Sequence, residues 1–240
     1  MLKFFRRIRL KLLDERNFRK YLIYAIGEII LVVIGILIAL QLNNWNLNKI
    51  EQGKEILHLE NILTNLESDL KDEIIPCIIY TKNQIQAYDL LQTDFHVNNS
   101  ITNDSIRRLF FQYLNQWDLV LNTVSFDNLK STGMDILSND SIKIKILTLY
   151  GNNYKYLKRL ENENNKFHYE GVTTILLDNV NLADELNDIG RDFLKNDIPL
   201  NSRLKTEAYF MDNFLSQLRI VKSRIEELIK NIKDEISRLK

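Results

Sequence analysis

The chain has 240 residues, which suffices for one large domain or for a small domain with appendages. It carries 32 Lys plus Arg and 32 Asp plus Glu. This balance argues against nucleic acid as a main partner, because phosphate-binding surfaces need an excess of cations. Two prolines and seven glycines are too few for a β-sandwich and favour long helices joined by few loops. We therefore expect an all-α chain.

Residues 1–20 form a basic segment with interleaved apolar side chains. We expect this amphipathic segment to lie on the anionic inner leaflet of a membrane. Only Asp14 and Glu15 oppose its cations. The cations are Lys3, Arg6, Arg7, Arg9, Lys11, Arg16, Arg19 and Lys20.

An apolar run follows at residues 21–42, where fourteen positions are Ile, Leu or Val. On the insertion scale these side chains contribute about −6 kcal/mol, and Glu28 opposes them by at most about 3 kcal/mol. Tyr21 and Trp45 would lie ~36 Å apart along a helix, which suits the two interfaces of a bilayer. We predict a transmembrane helix. The alternatives are a core helix of a soluble protein and a cleaved signal peptide, for which the run is too long.

The flanks of this run predict its orientation. Because cationic flanks stay in the cytoplasm, the N-terminus should lie inside and residues 43–240 outside. The predicted organisation is thus a cytoplasmic segment 1–20, a single-pass signal anchor 21–42 and an extramembrane helical domain 43–240. The predicted interface anchors are Arg19, Lys20, Tyr21 and Trp45.

One face of the span carries a carboxyl group and small residues. Small residues let helices approach closely, and a carboxyl group in lipid needs a hydrogen-bonding partner. We expect a helix–helix contact there, with a second copy or with another membrane protein. Alternatively, Glu28 reaches the inner headgroups and the glycines are incidental. The predicted contact residues are Tyr24, Glu28, Val32, Gly35 and Ala39.

The N-terminal sequences KFFRRIRLKLL and NFRKYLIYAIGEIILVVIGILIALQLNNWN closely resemble the signature of a family from Bacteroidetes-type Gram-negative bacteria. Its members are uncharacterised single-span proteins that share a domain of unknown function. The resemblance is looser further on, where FDNLKSTGMDILSND at 126–140 carries it. It implies an inner-membrane protein with most of its chain in the periplasm. It transfers no catalytic or binding residues.

Two apolar stripes with helical spacing lie at the ends of the extramembrane region. Their matching spacing suggests that the first and last helices pack together, plausibly antiparallel, in a bundle or coiled coil. The first stripe is Ile56, Leu59, Leu63, Leu66, Leu70, Ile74 and Cys77. The last is Leu218, Val221, Ile225, Leu228, Ile232, Ile236 and Leu239.

Further helices are predicted between these two stripes. Pro76 either kinks the first helix or begins a second one. Residues 96–102 should form a turn, after which Asn103 or Asp104 caps a helix. Ser125 and Gly133 should bracket a short helix. The remaining predictions are a long helix beginning at Ser138 or Asp140 and interrupted at Gly171, a helical segment over 175–186 and a loop over 187–201.

The sequence offers little chemistry, and we expect no catalytic, cofactor-binding or metal-binding residues. The three histidines are far apart and should lie at the surface or an interface. Asp69, Asp72 and Glu73 should lie on solvated helix faces. Cys77 should be a buried apolar residue, the alternative being a reactive thiol. Aromatic residues cluster at 110–117 and 150–169, which suggests core positions or a ligand groove between helices.

These observations favour a non-enzymatic scaffold or accessory protein of the cell envelope that acts through protein contacts. The alternative is a sensor-like periplasmic bundle that binds a ligand and signals through a membrane partner. A sensor should have a pocket with convergent polar groups, whereas a scaffold should expose an apolar stripe on a long helix.

Overall fold

The computed structural model describes residues 18–183 and 185–240, without the side chains of Phe18, Lys20 and Tyr21. It forms two compact units, Met1–Lys54 and Glu55–Lys240. The described residues contain helices and no strand, which confirms the all-α prediction. The predicted basic segment lies outside the described residues except for its last three positions.

Nine α-helices are described, and several are joined end to end by wider π-helical turns. These turns keep right-handed helical backbone angles at both ends, so the chain stays helical over 18–97 and again over 140–179. The π-helical turns are Asp69–Ile74, Leu91–Val97, Leu149–Tyr154 and His168–Thr173. The α-helices are α1 (Phe18–Ser68), α2 (Ile75–Leu90), α3 (Asn103–Leu114), α4 (Val124–Thr132), α5 (Asp140–Thr148), α6 (Lys155–Phe167), α7 (Thr174–Asn179), α8 (Asp188–Asn196) and α9 (Ile198–Leu239).

The described part of the first unit is the beginning of α1. Its Ile, Leu and Val side chains between Leu22 and Leu42 are all about half exposed or more. Among the described residues, one helix is long and apolar enough to cross a membrane, and none of its most apolar stretch is buried inside the protein. A membrane anchor requires a long apolar helix whose side chains are exposed on all sides. In a core helix of a soluble protein, most of these side chains would be buried.

The second unit packs around two hydrophobic clusters. One contains both predicted stripes, including Leu59 and Leu66 of α1 and Leu218 to Leu239 of α9. The other joins α2, α3 and α8 to the beginning of α9, where Leu200 and Leu204 are buried. The long helix α9 therefore contributes buried residues up to Met211 to this second cluster and buried residues from Phe214 onward to the first.

The first and last helices pack in the predicted antiparallel sense. Two ion pairs link them: Glu60 with Lys240 at 3.0 Å and Glu67 with Lys233 at 2.6 Å. Pro76 lies in the first turn of α2, directly after the π-helical turn Asp69–Ile74, and the helix runs on without a break.

Several predicted boundaries in the middle of the chain were wrong. Residues 187–201 are not a loop, because the side chain of Asn187 caps α8 at Gly190 N and that of Asp197 caps α9 at Leu200 N. Gly190 and Pro199 lie in the first turns of α8 and α9. Residues 180–183 and 185–187 are non-helical instead, so the helix predicted within 175–186 ends at Asn179.

Gly171 does not interrupt its helix. A Cβ atom at this position would lie 3.0 Å from Nη1 of Arg203, so a larger residue would require only the end of that flexible side chain on α9 to shift. Gly133, by contrast, ends α4 as predicted, with a φ of 109°.

The helix caps of α3 and α5 are each one residue away from the predicted ones. Thr102 caps α3 by accepting from Ser105 N, in place of Asn103 or Asp104. Asn139 caps α5, in place of Ser138 or Asp140. Ser138 is committed elsewhere, since its N–H and hydroxyl both donate to Oε1 of Glu55.

Candidate functional site

The predicted membrane contact face lies on α1. Tyr24 and Glu28 are half-buried, while Val32, Gly35 and Ala39 are exposed. Steps of four and three residues place all five on one side of the helix. The exposed apolar surface is available to lipid or to another helix.

The predicted interface anchors flank this face. Arg19 and Trp45 are exposed, and the side chains of Lys20 and Tyr21 lie outside the described part of the chain. Nζ of Lys49 lies 4.1 Å from the centroid of the Trp45 ring, which is a cation–π contact. This contact is consistent with an interfacial position for Trp45 and does not by itself test it.

In the second unit, three carboxylates hold the non-helical segment 115–123. Glu161 accepts from Leu119 N at 2.6 Å, Glu73 from Val120 N at 3.1 Å and Asp69 from Asn122 N at 2.9 Å. These acceptors replace the hydrogen bonds that a helix or sheet would give to this backbone. The segment is thereby fixed against α6 and the turn that follows α1.

Asp69 corrects the expectation that the acidic residues of this turn are solvated. It is 2% exposed and accepts a second hydrogen bond from the hydroxyl of Tyr154 at 2.8 Å. Burial raises the pKa of Asp69, and the two hydrogen bonds oppose that shift. Burial and the nearby Asp69 raise the pKa of Tyr154, so its phenol remains a hydrogen-bond donor at neutral pH.

His168 corrects the expectation that the histidines lie at a surface or interface. It is 3% exposed, and its Nδ1 lies 2.6 Å from Oε1 of Glu207, itself 1% exposed. Its Nε2 lies 3.0 Å from the hydroxyl of Thr173. If Nδ1–H donates to the carboxylate, a neutral ring accepts from Thr173 at Nε2.

The Thr–His–Glu order matches the connectivity of a hydrolytic triad. Thr173 ends the π-helical turn His168–Thr173 inside the continuous helix 140–179. Because His168 and Glu207 are both buried, the three side chains form a hydrogen-bonded cluster that joins this turn to α9.

A small polar cavity of about 30 Å³ lies between Glu161 and Glu207. It is also lined by Gln116 and Trp117, whose Nε2 and Nε1 donors have no hydrogen-bond partner among the described residues. Oε2 of Glu207 is likewise unpartnered there. Donors and acceptors thus converge on a volume that suits one or two ordered water molecules.

An open groove of about 840 Å³ adjoins His168. Its walls are mostly apolar and come from α3, from the turn His168–Thr173 and from α7 with the segment after it. Phe111 and Tyr169 line it and are half exposed, whereas Phe110 and Tyr113 are fully buried. The aromatic clusters therefore divide between core and groove, and the binding of a ligand in that groove stays a prediction.

Cys77 is a free, fully buried thiol, as predicted. Within the ranges 18–183 and 185–240, no group of three or more His, Cys, Asp or Glu side chains is placed to hold a metal ion. The described part of the chain is thus an all-helical protein with one candidate membrane span.

The chain belongs to the Family of unknown function (DUF6090), whose model matches residues 28–171. The match covers more than half of the chain, from Glu28 in the apolar run to Gly171 beside His168. Comparison with curated proteins and with solved structures gives no match.

Proposed function

We propose that this protein is a non-enzymatic, membrane-anchored accessory protein of the bacterial cell envelope, acting through noncovalent contacts of its helices. The observation that carries the proposal is the contrast within α1. Its apolar side chains from Leu22 to Leu42 are exposed, whereas Leu59, Ile62 and Leu66 are buried. Exposure of so many consecutive apolar side chains is unfavourable in water and favourable in a bilayer.

In this proposal residues 21–42 span the inner membrane once. The basic residues before the span keep the N-terminus in the cytoplasm, and the helical domain lies in the periplasm. The likeness of the N-terminal sequence to an envelope family supports the same location. Lipid and an envelope protein, or a second copy of the chain, are the proposed partners.

The face of Tyr24, Glu28, Val32, Gly35 and Ala39 is the proposed contact within the membrane. A Cβ atom at Gly35 would meet nothing within 4 Å, so the single chain does not need glycine there. Close approach of a neighbouring helix would supply a reason for the small residue.

The contact is tested by purifying the full chain in mild detergent and by measuring self-association in a membrane reporter assay. Glu28→Leu and Gly35→Leu should each reduce recovery of the partner or of the second copy. Leu37→Phe enlarges an apolar side chain on the opposite side of the helix and is the control for a change outside the contact face. If neither variant differs from this control, Glu28 serves only to reach the headgroups and the contact face is wrong.

A ligand-binding, sensor-like module is the second candidate, favoured by the groove beside His168. Its apolar walls and its few convergent polar groups are typical of small-molecule sites. An NMR screen of fluorinated fragments should then find binders that are lost in Leu177→Glu, which puts a charge into the groove. Ile189→Glu is the control, since Ile189 is 81% exposed and does not line the groove. Fragments that bind both variants equally would argue against this function.

A further inference from the structure

A second cleft, of about 520 Å³, is lined by residues from 119–130 and 150–158 and shares none of them with the groove beside His168. Phe126, Tyr150 and Tyr154 line it, together with Leu119 and Leu121 of the segment that the three carboxylates hold. The rings of Phe126 and Tyr150 are stacked with centroids 4.7 Å apart and an interplanar angle of 3°. The cleft therefore has a preformed aromatic surface and a fixed wall.

Tyr150 is only 2% exposed, and its buried hydroxyl has no hydrogen-bond partner among the described residues. The neighbouring Tyr154 differs, because its hydroxyl donates to Asp69. Burial raises the pKa of Tyr150, so the phenol keeps its proton at neutral pH. A buried donor of this kind is stabilised by any ligand that brings an acceptor.

The charged side chains around this cleft are mainly cationic. Lys158 is committed to Glu161 at 2.6 Å and to the carbonyl oxygen of Leu119 at 3.0 Å. Lys130 and Lys155 have no ion-pair or hydrogen-bond partner within the described part of the chain. The one acidic lining residue, Asp127, accepts a hydrogen bond from the Thr123 hydroxyl. Two uncompensated ammonium groups thus flank an aromatic surface.

We propose that this cleft binds an amphiphilic carboxylate: a compound with an aromatic or aliphatic body and one carboxylate group. The body packs on Phe126 and Tyr150, and the carboxylate pairs with Lys130 and Lys155. The Tyr150 hydroxyl donates to an acceptor on the ligand. This site is separate from the groove beside His168 and extends beyond the proposed function.

The test uses 2-naphthoate as the probe and the full chain in mild detergent, with protein-free detergent as the background. Binding is measured by the change in naphthoate fluorescence. The neutral analogue 2-naphthamide should bind at least about tenfold more weakly, because a lost charged contact of about 1.4 kcal/mol corresponds to tenfold. Equal binding of the two probes would overturn the proposal, as would no binding at all.

Variants locate the site. Lys130→Gln with Lys155→Gln should weaken naphthoate binding at least about tenfold, and Tyr150→Phe should weaken it several-fold while keeping the ring stack. Lys205→Gln with Lys230→Gln removes two exposed lysines from α9 and should leave binding unchanged. If the two double variants behave alike, or if only Leu177→Glu abolishes binding, the probe lies elsewhere and the cleft assignment is wrong. Unchanged thermal unfolding of each variant shows that the fold is retained.

Discussion

Nζ of Lys233 lies 2.6 Å from Oε1 of Glu67. Glu60, seven residues earlier on α1, and Lys240, seven residues later and directly after the end of α9, repeat the pair at 3.0 Å. Opposite steps along the two helices mean that they run antiparallel in one register. Both pairs are about half exposed, and ion pairs of this kind contribute only about 0–1 kcal/mol. The two ion pairs therefore indicate the register of the helices but contribute little to the stability of the fold.

This register predicts the products of zero-length cross-linking. A carbodiimide should join Glu67 to Lys233 and Glu60 to Lys240 through amide bonds, since each carboxylate already contacts its amine. The cross-linked peptides are identified by mass spectrometry. Glu67→Gln should remove the first product and keep the second. Products joining Glu67 to Lys240, without the two expected ones, would contradict the antiparallel packing.

The buried pair of His168 and Glu207 should be important for stability. Removing one partner of a buried, hydrogen-bonded pair costs about 3–5 kcal/mol, because the other group is left unpaired. We therefore expect Glu207→Ala to lower the free energy of unfolding by about 3 kcal/mol or more, measured by denaturant titration. Glu226→Ala removes an exposed carboxylate from the same helix and should cost less than about 0.5 kcal/mol. Similar losses in both variants would refute the role given to the pair.

Asp69 should make stability depend on pH in a specific direction. Because its pKa is raised in the folded protein, the unfolded chain loses this proton first as pH rises. Ionisation of Asp69 therefore lowers the free energy of unfolding from about pH 4 upward. Asp69→Asn cannot ionise, so its stability relative to wild type should increase between pH 4 and pH 7.

The comparison is made by thermal unfolding of wild type and variant across this pH range. Asp72→Asn, at an exposed position in the same turn, is the matched control. A constant difference between wild type and Asp69→Asn at all pH values would show that Asp69 is not held as described.

Cys77 should be chemically inert in the folded chain. Burial raises its pKa to about 12, so the reactive thiolate is scarce at pH 7.5. We expect a maleimide to label Cys77 only after denaturation, as followed by intact-mass measurement. Ile79→Cys in a Cys77→Ala background places a thiol at a 55% exposed position nearby and should be labelled rapidly. Rapid labelling of native Cys77 would mean that this core opens.

The sequence predicts those parts of the fold that depend on local periodicity. The stripes of α1 and α9 are visible because a long helix repeats its apolar face every three or four residues. The burial of Asp69 was missed because an acidic side chain on a helix is usually solvated. Asp69 lies seven residues after Ile62 and three after Leu66, which are both buried, so the helical spacing itself places it beside the core.

The candidate sites depend on contacts between distant residues. His168 and Glu207 are 39 residues apart, and Asp69 and Tyr154 are 85 apart. Spacing along the chain gives no signal for either pair. The three carboxylates that hold the non-helical segment 115–123 come from two different helical runs, so local spacing gives no signal for these contacts either. The membrane contact face, in contrast, was predicted from sequence alone and stays a prediction.

The central claim is that residues 21–42 lie in the bilayer and that the helical domain lies outside the cytoplasm. Protease treatment of intact spheroplasts that carry the full chain tests it most directly, combined with carbonate extraction of the membranes. The account predicts that the domain from Glu55 onward is digested, that an N-terminal fragment is protected, and that the uncut chain resists carbonate. A domain that is digested only after the spheroplasts are lysed, or a chain that carbonate releases intact, would contradict it.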